Sequence, residues 1–301
     1  MGIVWVQMSR RMSLKFAIIG KTGQLARALQ KEFSQSENEA IFYGRQECDL
    51  SQSKSEIAKF MLALPPVDAV ILAAAYTAVD NAETDMQTAN AVNSTAPGEI
   101  AKACAVRNIP LVHISTDYVF NGAGTSPYTV DQDTDPVNAY GLSKRNGELA
   151  VLATNCDAAI LRTSWVFDGS GKNFLTTMLR LSKTHDVLSV VGDQVGRPTY
   201  ARHLAQASIV AAKSLLIDAA SYRGIFHVSN SGNIVSWAKF AEAIFTASNK
   251  NITVNAISSS DYPTPAARPA YSVMDIRLFE ETFDYILPSW QEGVAAALAE
   301  Y

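Results

Sequence analysis

The chain has few cysteines and gives no sign of a metal site. Its 301 residues include three cysteines, Cys48, Cys104 and Cys156, which stand far apart with neither a CxxC spacing nor a histidine cluster beside them. This distribution argues against a disulfide framework and against a zinc site, and it favours a reducing, cytoplasmic location. The four histidines also lack ligand spacing, so we predict no metal centre.

An excess of positive charge and long apolar runs are missing as well. The chain carries 25 Lys and Arg against 29 Asp and Glu, scattered without a basic stripe, which argues against a nucleic-acid partner. No apolar stretch approaches the roughly 20 residues of a membrane span, so we predict no membrane association. The short apolar run Ile3 to Val6 precedes basic residues and is not a signal peptide. We expect residues 1–13 to be a disordered leader or an incorrectly assigned start.

Short β-branched and apolar runs alternate with segments of helical periodicity. We predict strands at Lys15–Gly20, Ala40–Gly44, Asp68–Ala75, Pro110–Ser115 and Ala158–Phe167. Helices are predicted between them, including a continuous one over Thr88–Arg107 and another over Ala139–Ala153. This alternation is typical of an α/β fold with a Rossmann-type, doubly wound parallel sheet.

The same pattern suggests how the chain is divided. We predict an NAD(P)-binding Rossmann domain over residues 14–168, with a late strand near 201–230 returning to its sheet. Residues 169–200 and 231–301 would then form a smaller, C-terminal substrate-binding lobe. Residues 121–138 are rich in Gly, Pro, Asp and Thr and predict a long loop over a site.

A glycine-rich turn links the first strand to the first helix. Gly20 and Gly23 lie where the backbone would turn tightly and approach a phosphate, and a helix N-terminus offers free N–H groups to a pyrophosphate. A purely structural turn is the alternative.

The second strand ends in Gly44-Arg45 without an acidic residue, which favours NADPH over NADH unless Arg45 is simply a surface residue. Asp49 and Leu50 could then hold the adenine.

A tyrosine and a lysine stand four residues apart at the start of a predicted helix. Tyr140 and Lys144 would therefore share one helix face. A nearby ammonium and a nicotinamide cation would lower the pKa of the phenol, so Tyr140 could protonate a ketone oxygen. An ordinary surface pair is the alternative, but Thr116, at the carboxyl end of a predicted strand, supplies a second donor where ligands of such sheets bind.

At these residues the chain resembles the extended short-chain dehydrogenase/reductase family. The segments GKTGQLA, AAAYTAVDNAE, STDYVF, NAYGLSK, RTSWVF, DQVGRPT and RPAYS, in this order, resemble the dTDP-4-dehydrorhamnose reductases of that family. The similarity runs from Lys15 to the C-terminus. It implies reduction of the 4-keto group of dTDP-6-deoxy-L-lyxo-4-hexulose to dTDP-L-rhamnose, with NADPH or NADH as hydride donor.

The resemblance also implies a role for particular residues. Thr116, Tyr140 and Lys144 would be the catalytic set, with Lys144 also reaching the nicotinamide ribose. Cofactor contacts are implied for Gly23, Gln24, Leu25, Asp49, Leu50, Ala74, Ala75 and Tyr76. Sugar contacts are implied for Asp117, Tyr118 and Trp165, and a substrate phosphate contact for Arg268. Trp165 could instead be a core aromatic, and Arg268 could form a loop salt bridge.

Two further positions and two rival functions follow from the same comparison. Asn93 lies where related reductases have a helix-bending asparagine, although an ordinary polar helix residue would also account for it. Arg202 stands where some members have an acidic magnesium ligand at a dimer contact, so a homodimer would not depend on that metal.

Two alternative functions remain beside the implied reductase activity. The chain could be a reductase of another nucleotide-activated 4-keto sugar, or a non-catalytic, NADP-binding regulatory subunit.

Overall fold

The structure, a computed structural model, describes residues 13–301, so the predicted leader lies outside the described residues except for Ser13. Its strands are β1 (Lys15–Ile19), β2 (Glu39–Tyr43), β3 (Ala69–Leu72), β4 (Leu111–Thr116), β5 (Ala158–Thr163), β6 (Val166–Phe167), β7 (Val187–Val191), β8 (Val195–Gly196), β9 (Thr199–Tyr200), β10 (Gly224–His227), β11 (Val235–Ser236) and β12 (Thr253–Ile257).

The helices occupy the spaces between these strands. They are α1 (Gln24–Ser34), α2 (Lys54–Ala63), α3 (Val79–Ala82), α4 (Met86–Asn90), α5 (Ala96–Arg107), α6 (Ala139–Leu152), α7 (Phe174–Leu181), α8 (Ala201–Ile217), α9 (Ala219–Tyr222), α10 (Trp237–Ala247), α11 (Arg277–Phe283) and α12 (Trp290–Glu300). Short 3₁₀ turns cover Asp117–Val119 and Ser259–Asp261.

A six-stranded parallel sheet organises the fold, in the order β10-β5-β4-β3-β1-β2. Successive residues of a strand point to opposite faces. In β1, Phe16 and Ile18 therefore pack with α1 and α8, while Ala17 and Ile19 pack with α2 and α5. The sheet is buried on both faces, as a doubly wound fold requires. The predicted fold class is confirmed.

A second core lies beyond β5. The parallel pair β7 and β12 packs with α7, α10 and α12 around Phe167, Phe240 and Trp290. Strand β10 follows α9 and forms the edge of the large sheet beside β5. The division into a dinucleotide domain and a substrate lobe remains a prediction. Within residues 13–301, no helix is both long and apolar enough to cross a lipid bilayer.

Two predicted elements are interrupted. The helix expected over Thr88–Arg107 contains a π-helical turn at Ala91–Thr95 between α4 and α5. The strand expected over Ala158–Phe167 breaks after Thr163, because Trp165 adopts φ +50°. Such a φ value is uncommon for a residue with a side chain, and it turns the chain from the large sheet toward the smaller lobe. π-Turns and positive φ values are frequent at functional sites.

Candidate active site

One cavity of about 1710 Å³ opens at the carboxyl ends of β1, β2, β3 and β4. In parallel α/β sheets, ligands bind at this edge. Phe174 and Trp237, which pack against the second core, line the opposite wall. Every residue predicted to bind cofactor or substrate lines this cavity: Gly20, Gly23, Gln24, Leu25, Arg45, Asp49, Leu50, Ala74, Ala75, Tyr76, Thr116, Asp117, Tyr118, Tyr140, Lys144, Trp165 and Arg268.

The glycine turn has the geometry of a phosphate cradle. Gly20 has φ +129°, and a Cβ there would lie 3.0 Å from the backbone nitrogen of Ala74, so the turn presses against the end of β3. Gly23 caps α1 without a side-chain hydrogen bond, and a Cβ there would meet nothing within 4 Å. The first amides of α1 are therefore free for an anion, and the space in front of them is open. These features fit a dinucleotide pyrophosphate.

The end of β2 differs from the sequence expectation. Arg45 extends with its side chain 80% exposed and pairs with Asp49 at 3.2 Å. A tight turn, in which Glu47 N and Cys48 N both donate to Gly44 O, brings Glu47 back to the strand. Its carboxylate accepts a hydrogen bond from Gly44 N at 2.8 Å. An acidic group therefore does stand at the end of β2, but it comes from Glu47 in the turn and not from the residues directly after the strand.

Thr116 ends β4, and Tyr140 and Lys144 belong to the first two turns of α6. Asn138 caps this helix by accepting from Gly141 N at 2.7 Å. Gly141 allows the helix to pack closely against the 3₁₀ turn that follows β4, since a Cβ there would lie 2.1 Å from the Tyr118 carbonyl oxygen. The rings of Tyr118 and Tyr140 meet edge to face at 5.6 Å. These contacts fix the start of α6 against the strand that bears Thr116.

Burial controls the protonation of both helix residues. It lowers the pKa of Lys144 to about 8, against the opposing charge of Glu148, while Lys144 Nζ donates to Ile114 O at 2.6 Å. Burial also raises the pKa of Tyr140, opposed by a hydrogen bond with Thr116. The helix spacing predicted a lowered pKa for this phenol, whereas the structure gives a raised one. Tyr140 is therefore protonated at neutral pH, the form that can donate a proton.

Asp117 is buried beside this set. One carboxylate oxygen accepts the Thr116 hydroxyl at 3.0 Å, and the same threonine oxygen accepts from Tyr118 N at 3.2 Å. Burial raises the pKa of Asp117 to about 6. The arrangement orients the Thr116 hydroxyl.

A buried ion pair supports the site from behind, and the sequence did not reveal it. Arg162 on β5 donates to both carboxylate oxygens of Glu148 on α6, at 2.9 and 2.7 Å. Ser115, next to Thr116, donates to the same carboxylate at 2.5 Å. Glu148 lies one turn beyond Lys144 on the same helix face. The pair therefore ties the helix that carries Tyr140 and Lys144 to β4 and β5.

Asn93 lies in the π-helical turn and is completely buried. Its side-chain amide pairs with both backbone groups of Tyr76, accepting from the nitrogen at 2.8 Å and donating to the oxygen at 2.9 Å. It also donates to Ser143 Oγ at 3.0 Å. This geometry favours the helix-bending interpretation of Asn93 over that of an ordinary polar residue. The Asn93 side chain thereby holds the Tyr76 segment at the cavity wall.

The lobe side of the cavity is aromatic. Trp165 stacks on Trp237 with ring centroids 3.5 Å apart. Arg268 pairs with Asp80 at 2.9 Å and approaches the Tyr118 hydroxyl at 3.4 Å. The loop salt bridge considered for Arg268 is therefore present, at a position that also borders the cavity. Trp237 was missed because it reaches the site from a helix of the second core.

Arg202, at the position considered for a metal-linked dimer contact, forms an ion pair with Glu32 and donates to Gln35 at 2.7 Å. In the described part of the chain, no group of three or more His, Cys, Asp and Glu side chains could hold a metal ion. All three cysteines are buried and free.

Comparisons with known proteins identify the family. The family model of the RmlD substrate binding domain matches residues 14–301. The dTDP-4-dehydrorhamnose reductase of Sinorhizobium fredii is 42% identical over 285 residues, covering 93% of this chain and 95% of that protein. The Salmonella typhimurium enzyme of the same name is 38% identical over 296 residues, covering 95% and 98%.

Solved structures give the same result. The Bacillus anthracis dTDP-4-dehydrorhamnose reductase, solved in complex with NADP, superposes with a TM-score of 0.87 at 34% identity and covers 96% of this chain and all of that one. The resemblance found in the sequence motifs is thus confirmed over nearly the whole chain. The chain belongs to the family defined by the RmlD substrate binding domain, and the Sinorhizobium fredii and Salmonella typhimurium relatives are dTDP-4-dehydrorhamnose reductases.

Proposed function

We propose that this protein reduces the 4-keto group of dTDP-4-dehydro-6-deoxy-L-mannose (dTDP-4-dehydrorhamnose) to give dTDP-L-rhamnose. The observation that carries the proposal is the meeting of Thr116, Tyr140 and Lys144 in the cavity that also contains the glycine turn. Support comes from the relatives named for this activity, which match the chain almost end to end.

NADPH is the proposed hydride donor, and NADH is the alternative. Gly23, Gln24 and Leu25 would hold the pyrophosphate at the N-terminus of α1, where no side chain caps the helix. Asp49 and Leu50 would face the adenine, while Ala74, Ala75 and Tyr76 would line the middle of the dinucleotide. When bound, the dihydronicotinamide supplies the hydride that reaches the keto carbon.

Tyr140 is the proposed general acid. Its phenol is protonated at neutral pH because burial raises its pKa, so it can donate a proton to the oxygen of the ketone. The Lys144 ammonium compensates the phenolate left behind, and it would also contact ribose hydroxyls. Thr116 would hold the same ketone oxygen with its hydroxyl, after giving up its bond to Asp117.

The substrate would lie between the sheet edge and the smaller lobe. We assign sugar contacts to Asp117, Tyr118 and Trp165, and a diphosphate contact to Arg268. Arg268 already borders the cavity and would exchange Asp80 for a phosphate oxygen. On this proposal residues 14–168, with β10, bind the dinucleotide, and residues 169–200 and 231–301 bind the sugar nucleotide.

The test is to mix the purified protein with NADPH and dTDP-6-deoxy-L-lyxo-4-hexulose and to follow loss of the reduced nicotinamide absorbance. We expect turnover by the wild type and a loss of at least about 100-fold in kcat for Tyr140→Phe, which keeps the ring and removes the proton. Equal rates for the two proteins would remove Tyr140 from this role. Turnover of only another nucleotide-linked 4-keto sugar would reject the substrate assignment. NADPH binding without any turnover would favour the regulatory-subunit alternative.

A further inference from the structure

The start of α6, the helix that carries Tyr140, is held by a carboxylate that the proposed chemistry does not use. Glu83 follows the short helix α3, and its Oε1 accepts a hydrogen bond from Ala139 N at 2.8 Å. Ala139 is the first residue of α6 and stands directly before Tyr140. The first amides of a helix have no partner within the helix, and a negative charge beside them is stabilised by the helix dipole. The contact therefore fixes the first amide of the helix that bears the proposed acid.

The surroundings of Ala139 leave little room for water to replace Glu83. Ala139 is 6% exposed, and with Ala82 and Ala89 it forms a small apolar cluster against which Tyr140 packs. An amide that loses its partner in such surroundings is poorly solvated, so the backbone would gain from moving toward another acceptor. Such a movement would shift Tyr140, because its Cα is one peptide bond away.

The turn that carries Glu83 is itself held in place. Asp80, in the same turn, accepts a hydrogen bond from Ala266 N at 3.3 Å. Asn138, the N-cap of α6, donates to the carbonyl oxygen of the next residue, Ala267, at 2.7 Å. Helix α3, the pair Ala266-Ala267 and the start of α6 thus form a closed ring of contacts. Glu83 supplies the direct link between α3 and α6 in this ring.

The reaction requires Tyr140 to be placed accurately. Its hydroxyl must lie within hydrogen-bond distance of the ketone oxygen that Thr116 also holds. A displacement of about 1 Å in a reacting group can lower a rate about 100-fold. We infer that Glu83 is a positioning residue for the proposed reduction, which acts through Ala139 N on the place of the Tyr140 hydroxyl. Glu83 does not line the cavity, so it acts without touching substrate or cofactor.

This inference rests on the proposed function, since the place of Tyr140 affects turnover only if Tyr140 is the acid. The test compares Glu83→Ala, which removes the acceptor, with Glu83→Gln, which keeps an oxygen acceptor of the same reach. Glu292→Ala is the matched control, because Glu292 also accepts from a backbone amide at a helix start, Ser289 N at 2.8 Å, and does not line the cavity.

Three measurements are made on each protein. Steady-state kinetics with the keto sugar and NADPH give kcat and KM. Hydrogen exchange, followed by mass spectrometry on the peptide that contains residues 138–142, reports on the first turn of α6 without any turnover. Thermal melts check that the fold is kept, which we expect because Glu83 is exposed and its truncation leaves no buried cavity.

We expect Glu83→Ala to lower kcat at least about tenfold, with KM within about twofold of wild type. Glu83→Gln should retain at least about a third of the wild-type kcat, and Glu292→Ala should stay within about twofold of it. The first turn of α6 should exchange faster in Glu83→Ala than in wild type or Glu83→Gln. In a Tyr140→Phe background, measured with enzyme in excess over substrate, Glu83→Ala should cause no further loss, because its effect passes through the missing hydroxyl.

An unchanged kcat in Glu83→Ala, an equal loss in Glu83→Gln, or a further loss of about tenfold in the Tyr140→Phe background would overturn the inference. If the wild type reduced no keto sugar, the proposed function would be rejected, and hydrogen exchange would still decide on Glu83. Faster exchange in Glu83→Ala would then uphold the contact on which the inference depends, and unchanged exchange would overturn it.

Discussion

Removing Arg162 should destabilise the protein strongly, because its partner Glu148 cannot reach water. Both side chains are 3% exposed, and their two contacts of 2.9 and 2.7 Å make a bidentate pair. Breaking a buried pair by deleting one partner costs about 3–5 kcal/mol, most of which is the penalty of the charge left behind. We therefore expect Arg162→Met to lower the free energy of unfolding by about 3–5 kcal/mol.

The assay is urea unfolding followed by circular dichroism, with the double variant Arg162→Met/Glu148→Leu as the matched comparison. That variant removes both charges, and the only further loss is the hydrogen bond that Ser115 donates to the Glu148 carboxylate. We expect it to recover to within about 2 kcal/mol of wild type. If the double variant were as unstable as the single one, the uncompensated carboxylate would not be the cause. A single-variant loss under about 1 kcal/mol would refute the reasoning altogether.

Three further predictions concern the site itself. Gly23→Ala should keep wild-type stability, since its Cβ meets nothing within 4 Å, but the methyl group would occupy the space in front of the α1 amides and weaken NADPH binding at least about tenfold. Gly147→Ala, in contrast, should unfold readily, because its Cβ would lie 2.0 Å from the Asn93 carbonyl oxygen. Thermal melts combined with cofactor titration test both variants, and an unchanged NADPH affinity in Gly23→Ala would count against the phosphate cradle. The pKa of Lys144 is lowered to about 8, so kcat/KM for the keto sugar should fall as pH rises through about 8 and the ammonium is lost. A profile that stays flat to about pH 9.5 would contradict that assignment. Arg268→Ala should raise KM about tenfold with little change in kcat, because a diphosphate contact binds ground and transition states alike. Steady-state kinetics test this, and a fall in kcat with little change in KM would mean that Arg268 acts in the chemical step.

Features that depend on local patterns could be predicted from the sequence. Buried strands such as β1 and β3 are short apolar runs, and the glycine turn follows the first of them directly, so the residue pattern alone identifies both. Tyr140 and Lys144 could be paired because helix geometry places residues four apart on one face.

Contacts between distant segments could not be predicted in the same way. Glu47 returns to Gly44 only because a turn after β2 closes with two backbone hydrogen bonds. Trp237 meets Trp165 from a helix of the second core, and Arg162 meets Glu148 from another strand. The raised pKa of Tyr140 was also missed, because it depends on burial, which a helix spacing does not reveal.

The central claim is hydride delivery to C4 of the dTDP-linked sugar, and isotope transfer tests it most directly. The purified protein is incubated with the keto sugar and with NADPH carrying deuterium at C4 of the dihydronicotinamide, on the transferred face, and the product is examined by NMR. The account predicts dTDP-L-rhamnose labelled at C4 of the sugar. A product without deuterium, or with deuterium at another carbon, would contradict it.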